Sequence, residues 1–193
     1  DAEEMARQIV THGERIARIV KHLLTFARGD REEPVTASVV DIVEPAIRML
    51  QNELEQDGIR IEDDYPEELP PLTCRRRQIQ QVLVNLLTNA RDALNARYPE
   101  GDPDKLIRVS VQRLAGPGAG FVRISVENHG ADIPAAVKQR LFEPFFTTKP
   151  RGIGTGLGLS VSYGIVVEHG GAMTVETEPG RFARFHVDLP IAP

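Results

Sequence analysis

The chain has 193 residues, 41% of them hydrophobic, and a formal net charge of -5. That is enough apolar material for one buried core with an appendage, and the acidic balance argues against a nucleic-acid surface, which concentrates Lys and Arg. The single cysteine, Cys74, excludes an internal disulfide and a thiolate metal cluster. No apolar run is long enough to cross a bilayer and no signal peptide opens the chain, so no membrane contact is expected of it.

From Met5 a seam of Met5, Ile9, His12, Ile16, Ile19, Leu23 and Phe26 advances in steps of four and three, which predicts one long helix over 1–30 facing a bundle partner. A lone helix of that length is marginal in water, so a companion helix outside the chain or self-association is expected. Asp1 already falls in the helical pattern, and the chain reads as a fragment of something longer. His12 on the seam and His22 beside it read as packing or surface histidines. The stretch GDREEPV, Gly29 to Val35, ends the helix and marks the boundary to a unit over 34–193. Ser38 is expected to N-cap a helix running to about Gln56, with Pro45 kinking it or delaying its start. IRIEDD after Gly58 reads as a short strand, and the proline-flanked turn ELPPL leads into a helix from about Arg75 to Arg97. Ile107, Val109 and Val111 alternate with polar residues, as do Val122, Ile124 and Val126, with LAGPGAG as the turn between them. AMTVET and ARFHVDLP supply two more strands after a helix that follows a glycine-rich segment. One helical layer against a mixed or antiparallel sheet makes an α/β sandwich the expected fold.

Two stretches carry the chemistry. In QQVLVNLLTNARDAL a core stripe of Ile79, Leu83, Leu86, Ala90 and Ala93 or Leu94 leaves Gln81, Asn85 and Asn89 recurring at every fourth residue on a neighbouring face. Carboxamides stacked beside a core stripe are costly when buried without partners, and each offers a hard carbonyl oxygen suited to Mg2+. In FEPFFTTKPRGIGTGLGLS the glycines Gly152, Gly154, Gly156 and Gly158 precede a helix whose first N–H groups are free to meet an anion, and Lys149 and Arg151 add local positive charge. A Walker A loop is absent, because Leu159 rather than Lys follows Gly158, and the dinucleotide fingerprint fails at the same residue. Taken without the other motifs, the glycines would fit a flexible lid equally well.

Together these stretches resemble the catalytic and ATP-binding domain of sensor histidine kinases, within the wider ATPase superfamily of Hsp90, gyrase B and MutL. The resemblance covers about Pro34 to Pro190. QVLVNLLTNARDA resembles the N box, FEPFFTTK the F box and GTGLGLS the second glycine box. The opening helix resembles the second helix of the dimerisation and phosphotransfer domain. The resemblance implies a Bergerat-type ATP-binding fold, a mixed sheet packed on helices, and a histidine kinase that takes ATP and Mg2+. It also implies a response regulator receiver domain as partner, a homodimer through the helical domain, and a cytoplasmic location.

Carried over residue by residue, the resemblance makes Asn89 the principal Mg2+ ligand and Asn85 its neighbour on the phosphate side. Gln81, Asn85 and Lys149 stand at the reaction, with Lys149 approaching the outer phosphates. Gly154, Thr155, Gly156, Leu157 and Gly158 wrap the triphosphate, Phe145 and Phe146 anchor the lid, and Asp92, Gly130, Phe146 and Thr148 complete the nucleotide contacts. The first glycine box departs from the family's D-x-G-x-G: Asn128 stands for the Asp that accepts from the adenine amino group, and Asp132 replaces a glycine, adding a carboxylate close to the base or phosphates. The third glycine region keeps Gly180 but has Phe182 where a glycine is common. These departures favour a second reading, a scaffold module that keeps the fold without productive ATP binding. A conformational ATPase of the Hsp90 or MutL kind would need a base on the N-box helix, and Gln81 is not one. A serine-directed kinase of the same superfamily is disfavoured by the opening helix.

Overall fold

Local pattern decides where each element of the unit after the boundary begins and ends. The computed structural model describes residues 33–116, 120–150 and 154–192, together with Met5 and Gly13, both helical in backbone. The rest of the predicted opening helix, with His12 and His22, lies outside the described residues, as do Arg151 and Gly152. The order is β1 (Val35–Ala37), α1 (Val40–Gln56), β2 (Arg60–Asp64), β3 (Leu72–Cys74), α2 (Arg76–Arg97), β4 (Leu106–Leu114), β5 (Phe121–Asn128), α3 (Ala135–Lys138), α4 (Gly158–Glu168), β6 (Ala172–Glu178) and β7 (Phe182–Pro190).

The main sheet has five strands in the order β2-β4-β5-β7-β6. β2 runs parallel to β4 and the other pairs are antiparallel, so the sheet is mixed. Alternation sends one row from each strand inward: Ile107, Val109 and Val111 of β4, Val122, Ile124 and Val126 of β5, and Phe185, Val187 and Leu189 of β7 are all buried. Against this face α2 sets Ile79, Leu83, Leu86, Ala90 and Leu94, none more than 2% exposed. Each large apolar side chain so buried is worth about 1.5–3 kcal/mol. The helix phase therefore takes Leu94 rather than Ala93 as the last core position.

The opposite face of the sheet is a charge ladder. Glu62, Arg108, Glu127, Arg184 and Glu176 occupy neighbouring register positions on all five strands. Arg108 reaches Glu62 at 3.0 Å and Glu127 at 3.4 Å, and Arg184 reaches Glu127 at 2.6 Å and Glu176 at 3.1 Å. Alternating sign lets Glu127 be buried with cations on two sides.

Two expectations about α1 need correction. Ser38 does not cap α1: the helix begins at Val40, and Val39 at the cap position makes no side-chain bond. Pro45 does not delay that helix, which starts at Val40 and carries the proline within it to Gln56. The short strands β1 and β3, which pair antiparallel as a separate two-stranded sheet, and the single turn α3 have too few residues for a period to register. A further tie is made by His169 after α4. Its Nε2 accepts from Arg75 N–H at 3.0 Å, satisfying a free donor at the start of α2, while Nδ1 donates to Ile165 O at 2.7 Å.

Candidate functional site

The carboxamide face of α2 meets the start of α4. Gln81, Asn85 and Asn89 are half-buried there. Asn85 Nδ2 donates to Ser162 Oγ at 2.9 Å, and Gly158 lies so close to the same carboxamide that a Cβ on it would come 2.3 Å from Asn85 Oδ1. Glycine at 158 is therefore a packing requirement. One turn further on, Asn89 Oδ1 accepts from Lys149 Nζ at 3.3 Å, and the same ammonium forms an ion pair with Asp92. Two hard oxygen donors from one helix thus converge on one cation brought by the segment before α4. Gln81 is not joined to this group by a hydrogen bond.

The segment itself is folded back on α4. Phe145 has a φ of 65°, rare for a bulky residue, and its N–H donates to Gly156 O at 2.9 Å. Gly156 has a φ of 67°, and a Cβ there would meet the Phe145 carbonyl carbon at 2.4 Å. Phe145 is 73% exposed, so its backbone, not its ring, is what anchors the segment. Phe146 lies under Arg140, whose guanidinium carbon is 4.3 Å from the ring centre, and Phe142 stacks on Tyr163 at 5.2 Å. Gly154 packs on Thr147, and Thr155 Oγ1 accepts from the N–H of buried Leu157 at 3.4 Å. Thr148 is exposed.

The loop after β5 rests on α2 one turn beyond Asn89. Ala131 N–H donates to Ala93 O at 3.1 Å, and a Cβ on Gly130 would come 2.6 Å from the Ala93 carbonyl carbon. Asn128 Oδ1 accepts from Gly130 N–H at 3.0 Å and Nδ2 donates to Ala183 O at 3.4 Å, so both ends of its carboxamide serve the main chain. Asp132, expected close to the base or phosphates, accepts from Gly180 N–H at 2.7 Å, in the β6–β7 turn. Arg97 grips the same turn from α2, donating to Gly180 O at 3.2 Å and to His129 O and Gly130 O at 3.2 and 3.1 Å. The added carboxylate is thus a tie between loop and hairpin.

Ser162 and Arg97 were not legible as parts of this region. Ser162 follows Gly158 by one helical turn, a spacing that could have paired it with Asn85; Arg97 reaches three carbonyls distant in sequence and leaves no such trace. Among the described residues no cluster of three His, Cys, Asp or Glu exists. A divalent ion would instead rest on the Asn89 oxygen and the Asp92 carboxylate, which already draw a cation, and that suits Mg2+ completed by ligand oxygens. The start of α4 adds free N–H groups beside glycines that allow close approach. The donor set fits a magnesium–nucleotide complex.

Residues 74–193 match the family model of histidine kinase-, DNA gyrase B- and HSP90-like ATPases. Over 191 residues the chain is 37% identical to the two-component sensor PprA of Pseudomonas aeruginosa, covering 98% of this chain and 20% of that protein. It is 36% identical to the sensor kinase CckA of Brucella abortus, covering 94% and 20%, and 31% identical to the sensory histidine kinase/phosphatase NtrB of Klebsiella oxytoca, covering 97% and 52%. It therefore spans from a fifth to about half the length of these relatives. The nucleotide-free catalytic domain of histidine kinase ThkA superposes with a TM-score of 0.69 at 29% identity, covering 82% of this chain and 96% of that one. Full-length ShkA in complex with AMPPNP gives a TM-score of 0.77 at 24% identity, covering 94% and 37%, a likeness of fold.

Proposed function

The chain belongs to the family of histidine kinase-, DNA gyrase B- and HSP90-like ATPases, and from that premise we propose that it supplies the γ-phosphoryl group of ATP to a histidine on a separate helical domain of a sensor kinase. The observation that carries the reading is the convergence of Asn89 and Asp92 on the Lys149 ammonium beside the glycine-lined start of α4. In the reaction the bond from the γ-phosphorus to the β–γ bridging oxygen breaks, a bond to an imidazole nitrogen forms, and ADP leaves. An aspartate of a response regulator receiver domain then takes the phosphoryl group. The parent protein is a dimer through its helical domain, and this part of it works in the cytoplasm.

Such a transfer needs positioning and charge neutralisation more than a nucleophile on the enzyme. Asn89 and Asp92 would hold Mg2+, which neutralises phosphate charge when bound. Lys149, released from those oxygens, turns to the outer phosphates. Asn85, oriented by Ser162, stays on the phosphate side, with Gln81 one turn before it. The N–H of Gly158 at the start of α4 is free to meet phosphate oxygens, Leu157 lies at the turn into that helix, Gly154 and Gly156 let the chain fold close, and the Gly156 carbonyl holds the Phe145 hinge. Asn128 and Gly130 line the base end.

Calorimetric titration with AMPPNP, with and without Mg2+, tests this. Binding should depend on Mg2+ and fall between about micromolar and millimolar Kd, or roughly -8 to -4 kcal/mol. A folded protein that gives no heat up to several millimolar would instead be the scaffold module, a reading supported by the engagement of both ends of the Asn128 carboxamide with main chain.

A further inference from the structure

At the end of α2 away from Asn85, a cavity of about 370 Å3 opens between the end of α1, the last turns of α2 and the loop leading into β4, with Gln56, Asp57, Asn95, Glu100 and Lys105 among its walls. No residue of the nucleotide site lines it. Lys105 is 3% exposed. Its main chain is pinned, N–H to Asp102 O and carbonyl to Arg60 N–H, each at 3.0 Å, yet its ammonium makes no hydrogen bond or ion pair with any described residue. Lysine is almost never buried to this degree unless paired; here the stem is covered and the ammonium keeps contact with solvent only through the cavity it lines.

The carboxylate within reach of its field is already engaged. Asp57 Oδ2 accepts from Arg91 Nε at 2.5 Å and Asn95 Nδ2 at 2.6 Å. The Arg91 hydrogen bond above all, with Asn95 and the charge of Lys105 assisting against burial, holds the Asp57 carboxyl below its usual value. The Lys105 side chain is therefore without an anionic oxygen of its own among the described residues. Glu100, exposed on the same wall, sets a second condition: with Asp57 it disfavours a dianion such as phosphate and attracts a positive group. The volume falls in the roughly 300–1,000 Å3 range of small-molecule sites.

We propose that this cavity binds a small zwitterion of the α-amino-acid class, its carboxylate on Lys105 and its ammonium toward Glu100. The site is independent of the nucleotide reading, and its test needs no nucleotide. The whole chain is titrated with L-alanine, acetate and inorganic phosphate at constant ionic strength, followed by calorimetry and thermal unfolding. Alanine should bind with a Kd of about 1–10 mM, with acetate and phosphate at least about tenfold weaker. Lys105→Met should abolish alanine binding. Glu100→Gln, at an exposed position, should weaken alanine about fivefold and leave acetate unchanged, which keeps the test open if Lys105→Met does not fold. No alanine signal up to about 50 mM, or a folded Lys105→Met that binds alanine as well as the parent, overturns the proposal. Equal binding of acetate or phosphate overturns the zwitterion.

Discussion

Replacing Asn128 by Asp puts in the residue that the sequence resemblance implies for that position, and the structure sets a cost on doing so. Asn128 is 3% exposed, takes the Gly130 N–H on its oxygen at 3.0 Å and gives its NH2 to Ala183 O at 3.4 Å. Asp keeps and strengthens the first bond, because an ionised acceptor roughly doubles its energy. It turns the second into two oxygens facing each other, losing a bond worth about 1 kcal/mol and leaving buried acceptors unsatisfied at about 1–3 kcal/mol. The net loss is about 1–3 kcal/mol at pH 8, or about 2–12 °C in Tm for a chain of this size. The penalty falls on the ionised form, so the folded-state pKa of the new carboxyl is raised above about 3.9. A raised pKa favours the fold below it, and the carboxyl once protonated would again donate to Ala183 O, so the gap to the parent is full at pH 8 and closes as pH falls through the raised value toward about 4. Thermal melts of both proteins across that range give the answer. A variant as stable as the parent at pH 8, or a gap that ignores pH, would refute the assignment of the carboxamide to Gly130 and Ala183.

Asn89→Ala should lose the Mg2+-dependent part of nucleotide binding while metal-free ADP binds nearly as before; calorimetry showing equal loss with and without Mg2+ would make Asn89 structural. Tyr65 has a buried hydroxyl without a hydrogen-bond partner among the described residues, and burial, then Asp63 and Glu44, push its phenol above the usual range. Tyr65→Phe should therefore leave stability unchanged or raise it by up to about 1 kcal/mol, and a drop in urea midpoint would reveal a partner for the hydroxyl. Burial first, then Arg123, hold the His186 imidazole below its usual value against the pull of Glu176. Its neutral form is favoured in the fold, so this contribution is complete above about pH 6.5 and fades as pH falls below that value, where the unfolded histidine binds a proton first. His186→Gln should flatten the pH dependence of Tm in that interval.

How much of this was readable in the chain depends on whether the cause was local. The core face of α2 was, because Ile79, Leu83, Leu86 and Ala90 repeat with the helix. So were the β4–β5 hairpin and both C-terminal strands, where alternation runs for several residues. β1 and β3 were not, since three residues each carry no measurable period and owe their conformation to each other. Ser38 misled because a capping side chain is only a local preference, and the chain found its start one residue later through burial of Val39. At the site, Asn85 and Asn89 stood out by spacing. The meeting of Lys149 with Asp92, 57 residues apart, and the grip of Asp132 on Gly180 come from the way loops close over the sheet, which no window of sequence contains.

The ammonium of Lys149 on the Asn89 and Asp92 oxygens makes the resting site a lock filled by its own tethered competitor. An ion held by a short segment acts at an effective concentration of millimolar or more, and it draws on the same oxygens that a metal would use. Free Mg2+ arriving unaccompanied must displace that ammonium with nothing to receive it. On the proposed function a nucleotide would supply the receiver, because its phosphates could take the lysine as the metal takes the helix oxygens. On the proposed function, loading would be an exchange of cations between two acceptors, and metal and nucleotide would enter as one species rather than in sequence.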